Sequence, residues 1–205
     1  MYFKNSNLIL FLLVFAIVLV VYLFTLCPTI YLEDSAEFVA VASGLGIPHP
    51  SGYPLYVLLG KLFTLIVPIG TIAWKVNFMS AFFGALTAGF VFLIIKYIIK
   101  KNIISAAAAL IFAFTLTFWS QSIIAEVYTL NSFFVSLIIY LLLIWKHNVE
   151  TRQSASLLID NLLLLIVFLF GISLANHQMM ALLGPIFLIY VIWVYSKVFK
   201  DYKLI

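Results

Sequence analysis

The chain has 205 residues, of which 66% are apolar and only 9% charged, against roughly 25% charged in a soluble domain. Too little polar surface remains to cover a water-soluble globule. This excludes a soluble enzyme, a disordered tail and a disulfide scaffold, and leaves a polytopic membrane protein. The net charge of +4 does not point to nucleic acid, because the Lys and Arg residues flank apolar runs and form no basic stripe. The single cysteine, Cys27, cannot form an intrachain disulfide.

In chain order, the first apolar run is Leu8 to Leu26, 19 residues or about 28 Å of helix, close to the roughly 30 Å hydrocarbon core. It exceeds a signal-peptide core, and no small-x-small site follows, so it reads as a retained anchor. A long outer loop, Cys27 to Tyr53, comes next. Its stretch from Asp34 to Leu45 predicts a short helix along the membrane surface. Asp34 as N-cap with Glu37 at the third helical position spells an Asp variant of the capping box. His49-Pro-Ser-Gly-Tyr-Pro54 then reads as a rigid turn, because Pro restricts φ and Gly52 reaches backbone angles closed to other residues.

Pro54 to Val67 has Lys61 at its middle and Pro68 at its end. Its 14 residues make about 21 Å of helix, too short to span, which predicts an interfacial or re-entrant helix. Further spans are expected at Asn77 to Ile99, Ile103 to Trp119, Thr129 to Trp145, Asn161 to Ala175 and Met179 to Tyr195. The expected fold is all-α: a transmembrane helix bundle of about six spans forming one module over residues 1–205. Ser80, Gly84 and Ala88, four residues apart, form a small-residue ladder that packs helices closely.

The basic residues set the expected orientation. With the N-terminus inside, the inner side holds Lys4, Lys96, Lys100, Lys101, Lys146, Arg152, Lys197, Lys200 and Lys203, and the outer side only Lys61 and Lys75. Letting Pro54 to Val67 span gives nearly as good a charge balance, so its length decides against it. The orientation gathers the polar motifs on the outside: Glu33 to Glu37, His49 to Pro54, Lys75 to Asn77, Glu126 to Tyr128 and Asn176 to Gln178. Polar residues collected on one face predict a site there.

Each candidate has a plain structural role beside a chemical one. Asp34 and Glu37 could cap their helix, act in proton abstraction, or offer two oxygens to a divalent metal. His49 serves the turn, or faces the acids as a proton relay or phosphate contact. Lys75 snorkels to the interface, or neutralises a phosphate. Glu126 lies so close to hydrocarbon that its carboxylate is costly unless paired or hydrated, which favours function. His177 occupies a turn between two spans, where polar residues are ordinary.

Together these residues resemble a known family. Asp34-Ser-Ala-Glu37, the run Leu45-Gly-Ile-Pro-His-Pro-Ser-Gly-Tyr-Pro through Phe63, Ala73-Trp-Lys-Val-Asn77, Trp119-Ser-Gln121 with Ala125-Glu-Val-Tyr-Thr-Leu-Asn131, and Asn176-His177 are similar, in the same order, to the motifs of a membrane family. That family is named for a domain of unknown function and grouped with protein O-mannosyltransferases in the GT-C glycosyltransferase superfamily. It commonly has Gly where Glu33 and Ala36 stand and Pro where Ser51 stands.

The resemblance implies transfer of a sugar from a polyprenyl-phosphate donor to a protein or glycan acceptor hydroxyl on the outer face, with membrane lipids as surroundings. It implies Asp34 as general base and Glu37 as orienting the acceptor or assisting a divalent metal. Substrate-binding roles would fall to His49, Tyr53, Lys75, Asn77, Glu126, Tyr128 and His177, with Lys75 and His177 on the leaving phosphate. The chain is expected to be an N-terminal module whose C-terminal part is missing, in a bacterial cytoplasmic membrane. The competing classes are a non-catalytic membrane subunit and a lipid or solute transporter. A transporter would want ionisable residues at mid-membrane, whereas these candidates sit at span ends.

Overall fold

The computed structural model describes residues 5–32, 34–151 and 156–195. Glu33, Lys4, Arg152, Lys197, Lys200 and Lys203, which enter the loop and charge arguments above, lie outside the described residues. Every regular element described is helical: α1 (Asn5–Thr25), α2 (Ser35–Gly44), α3 (Pro54–Ile66), α4 (Ile72–Ile99), α5 (Asn102–Ala113), α6 (Leu116–Ser122), α7 (Tyr128–Thr151), α8 (Ser156–Leu174), a 3₁₀ helix (Gln178–Leu183) and α9 (Gly184–Val194).

Local chemistry sets the ends. Pro54 starts α3 at the first helical position, where a missing N–H costs nothing. Val67, just before Pro68, is extended and stops the helix. At α4 the Thr71 hydroxyl accepts from the Trp74 N–H at 3.2 Å, an N-cap bond. The α2 helix closes through Leu45 in the left-handed region, with the Gly46 N–H on the Val41 carbonyl at 3.0 Å.

Helix α4 is the hub, and α1, α2, α3, α5, α6 and α7 all pack on it. Of its most apolar window 56% is buried, against 17% for the peripheral α1. The small-residue ladder does what its spacing implies. A Cβ at Gly84 would stand 2.6 Å from the Ser122 Oγ and 3.1 Å from the Tyr22 ring, so α1, α4 and α6 meet where no side chain fits. Gly60 does the same between α2 and α3, where a Cβ would lie 2.7 Å from that of Ala42.

By length and composition α1, α4 and α7 can cross a membrane, and α5 with α6 makes a fourth crossing if the pair, bent by 68°, is one broken span. The six-span expectation therefore finds three helices, or four, among the described residues. The stretches expected as the fifth and sixth spans are shorter, Asn161–Leu174 and Gln178–Val194. In the second, a 3₁₀ segment precedes the α-helix, and Pro185 supplies no N–H to carry an α-helical ladder across the junction. Short helices form where expected, α2 within Asp34 to Leu45 and α3 within Pro54 to Val67.

Hydrogen bonds stitch several helix ends into one end of the bundle. The Cys27 N–H donates to the Ile123 carbonyl at 3.0 Å, and the Leu55 N–H to the Ala175 carbonyl at 3.0 Å. The Asn77 carboxamide donates to the carbonyls of Cys27 at 2.8 Å and Thr29 at 2.9 Å. The Asn176 carboxamide donates to the Val127 carbonyl at 3.3 Å. The polar motifs thus share one end of the molecule, as the charge pattern implied.

Candidate functional site

The site starts from two helices that cross tightly. Helix α2 presents Asp34 just before its first turn and Glu37 within it. The loop from Leu45 to Tyr53 folds back so that His49, twelve residues after Glu37, meets it. One Glu37 oxygen accepts the His49 backbone N–H at 2.8 Å, and the other lies 2.6 Å from the His49 Nδ1. The second ring nitrogen, Nε2, is 3.1 Å from the Tyr53 hydroxyl. Gly52 takes φ +86° and Tyr53 φ +41°. This left-handed turn is costly for a tyrosine, and it delivers the Tyr53 ring to His49.

The expected capping box is not made. Asp34 sits at the N-cap with helical backbone angles and no side-chain cap bond. Those angles do not direct its carboxylate at the helix N–H groups as an extended N-cap would. Glu37 is taken by His49 and does not reach back. Both acids are therefore released from the local structural role the sequence offered.

The pairing sets the electrostatics. The Glu37 carboxylate on its ring holds His49 above the usual imidazole value; the charges of Asp34 and Glu126 add to this, and partial desolvation opposes it. The hydrogen bonds from the His49 ring and backbone hold Glu37 below the usual carboxyl value. One donor atom each from Asp34, Glu37 and His49 lies within 4.8 Å of the others. Two oxygens and an imidazole nitrogen form a donor set that fits a divalent cation.

Two further loops bring residues to this cluster. Glu126 is 2% exposed, and its backbone N–H and carbonyl both lie 3.3 Å from the Ser80 hydroxyl. His177 stands between tyrosines, its ring 5.8 Å from Tyr53 and 6.0 Å from Tyr128. Its Nδ1 accepts the Met179 N–H at 3.2 Å, so in the neutral ring the proton sits on Nε2. Partial burial pushes its pKa down, so His177 offers a neutral N–H donor rather than a positive charge.

Two expected site residues are placed elsewhere. Lys75 donates to the Thr64 carbonyl at 3.1 Å, at the C-terminal end of α3, where a cation is favoured by the helix dipole. Asn77 is fully buried as the clamp on Cys27 and Thr29. The sequence reading missed Phe38, which is 1% exposed. Its ring backs His49 at 5.8 Å, Tyr53 at 5.4 Å and Tyr56 at 5.0 Å. The available signal was an aromatic residue directly after Glu37 in a surface helix. Ser80, read as part of a packing ladder, also anchors the Glu126 backbone.

Residues 34–201 match the family described as the protein O-mannosyl-transferase TMEM260 N-terminal domain. The chain is similar to the protein O-mannosyl-transferase tmem260 of Dictyostelium discoideum, 29% identical over 187 residues, covering 88% of this chain and 23% of the relative. It is similar to the protein O-mannosyl-transferase TMEM260 of Mus musculus, 30% identical over 191 residues, covering 93% of this chain and 26% of the relative. The chain thus spans about a quarter of the length of these curated relatives. Both are eukaryotic, so the expectation of a bacterial membrane finds no support in them. No solved structure matches.

Proposed function

We propose, from the premise that this chain belongs to the protein O-mannosyl-transferase TMEM260 N-terminal domain family, that it carries the acceptor-activating part of a membrane glycosyltransferase. The reaction passes a mannosyl group from a polyprenyl-phosphate donor to an acceptor hydroxyl at the outer end of the bundle. The observation that carries this reading is the convergence of Asp34, Glu37 and His49, with Glu126 acting on His49 from another loop.

Roles follow from which groups are engaged. Both Glu37 oxygens are held by His49, whereas the exposed Asp34 carboxylate makes no cap bond. Asp34 takes the proton as the acceptor oxygen attacks the anomeric carbon. The bond from that carbon to the phosphate oxygen breaks, its electron pair leaves with the polyprenyl phosphate, and configuration inverts. His49, held positive by Glu37 above all, offsets the standing negative charge of the carboxylates around it. The His177 N–H donates to the leaving phosphate or to a sugar hydroxyl. A divalent cation would be held by Asp34, Glu37 and the neutral form of His49, in place of the His49 proton that now pairs with Glu37, and would supply Lewis-acid charge stabilisation.

The test is Asp34→Asn in the full-length protein. Transfer from polyprenyl-phosphate mannose should fall by roughly 10²-fold or more, the size of a general-base contribution. Asp34→Ala should fall equally with an unchanged melting temperature, since no cap bond is lost. Transfer by the Asn variant within about threefold of the parent, well below a general-base contribution, would move the base to Glu37 or Glu126. Transfer unchanged in all three acid variants would favour a non-catalytic subunit.

A further inference from the structure

Where α5 bends into α6, a cleft of about 580 Å³ opens against the first turn of α7. That is within the roughly 300–1,000 Å³ of small-molecule sites. Its aromatic wall includes Phe112 and Phe118, with ring centroids 4.4 Å apart, and Tyr128; its polar wall includes Thr117, Gln121 and Thr129. None of the described residues lining it is charged. Thr129 is 1% exposed, and its hydroxyl and the Gln121 carboxamide oxygen are buried without a hydrogen-bond partner. Such groups are costly unless something completes them.

This chemistry selects among ligands. A phosphate, carboxylate or ammonium group would find no counter-charge. A purely apolar tail would leave the hydroxyl and carboxamide unsatisfied. A pyranose fits both walls, since its ring hydroxyls exchange hydrogen bonds with neutral side chains and its C–H faces lie on aromatic rings. A row of ring neighbours links the cleft to the cluster around Asp34: Tyr128 stands beside His177, His177 beside Tyr53, and Tyr53 beside His49.

We propose that this cleft is a sugar-binding subsite for a neutral hexopyranose, held by Thr129 and Gln121 against Phe118 and Tyr128. The choice of mannose as the sugar rests on the transfer reaction proposed above; the site itself is read without turnover. The probe is an octyl mannoside bearing a diazirine, irradiated with the full-length protein in nanodiscs and mapped by peptide mass spectrometry. Label should fall within residues 112–132 and be competed by free mannose. Thr129→Val and Gln121→Leu should each lower labelling by roughly three- to tenfold, the loss of one neutral hydrogen bond. Thr129→Ser, which keeps the hydroxyl, should label like the parent and so controls for folding.

Labelling in Asp34→Asn should stay at the parental level, which separates this subsite from the base and its failure from that of the transfer reading. Pre-incubation with polyprenyl-phosphate mannose that removes the label assigns the cleft to the donor sugar. Removal by a mannosylated peptide instead assigns it to a sugar-bearing acceptor. Removal by neither, label confined to other segments, or Thr129→Val and Gln121→Leu labelling like the parent would overturn the proposal.

Discussion

Glu37 and His49 answer each other across twelve residues, and their titrations set a pH window for the loop. The His49 pKa is raised from 6.5, so its share of the ion pair is fully present below about 6.5 and is lost as pH rises through the raised value. The Glu37 pKa is lowered from 4.5, so its share is present above about 4.5 and is lost as pH falls through the lowered value. The loop should be held best between those limits, in mildly acidic to near-neutral solution. Amide exchange at residues 46–53 should be slowest there, and His49→Gln should flatten the profile; an unaltered profile in that variant would place the titration elsewhere. Lys75 gives a second residue-scale expectation. Because it caps α3 through Thr64, Lys75→Met should cost about 0.3–1 kcal/mol of stability while leaving the KM for the lipid-linked donor unchanged. A raised KM with unchanged stability would return Lys75 to the phosphate.

At the scale of elements, the crossing of α2 and α3 decides whether Glu37 and His49 can meet. It is close because Gly60 faces Ala42. Gly60→Ala forces the helices apart; setting an overpacking cost of roughly 1–3 kcal/mol against a helix-propensity gain of about 1 leaves a net loss of about 1 kcal/mol. Transfer should fall with it, and adding Ala42→Gly should restore transfer by vacating the contested space. Failure of the double variant to recover transfer would mean that the crossing does not position the site. The short α3 was legible from Pro54, Pro68 and its length. The 68° break between α5 and α6 was not, because the stretch around Thr115 carries no proline or glycine to mark it. That break shapes the proposed sugar cleft.

For the whole molecule, the hydrogen bonds among Cys27, Thr29, Asn77, Ile123, Val127 and Asn176 gather the loops at one end. An impermeant thiol reagent tests which compartment that end faces. Ile47, 89% exposed in the site loop, and Lys101, exposed at the opposite end of α4, are suitable reporters once Cys27 is replaced by Ser. Ile47→Cys should label from outside, and Lys101→Cys only after permeabilisation. Equal labelling of both, or the reverse order, would overturn the orientation. Ser35, which is completely buried, would make a poor reporter despite its place in the same loop.

The sequence by itself determined that the chain is helical and membrane-bound, that α3 is short, and which motifs collect at one end, because these depend on local composition, prolines and charge. It also supplied Asp34, Glu37, His49, Glu126, Tyr128 and His177 as candidates. Tertiary structure decided their partners. Glu37 gives up its helix for His49, Lys75 is drawn to Thr64, Asn77 becomes a clamp, and Phe38 turns into the wall behind the histidine. A side chain's partner depends on which helix ends come together, and that follows from the packing of α2 on α3 and of the bundle on α4. Spacing along the chain carries no record of those distances.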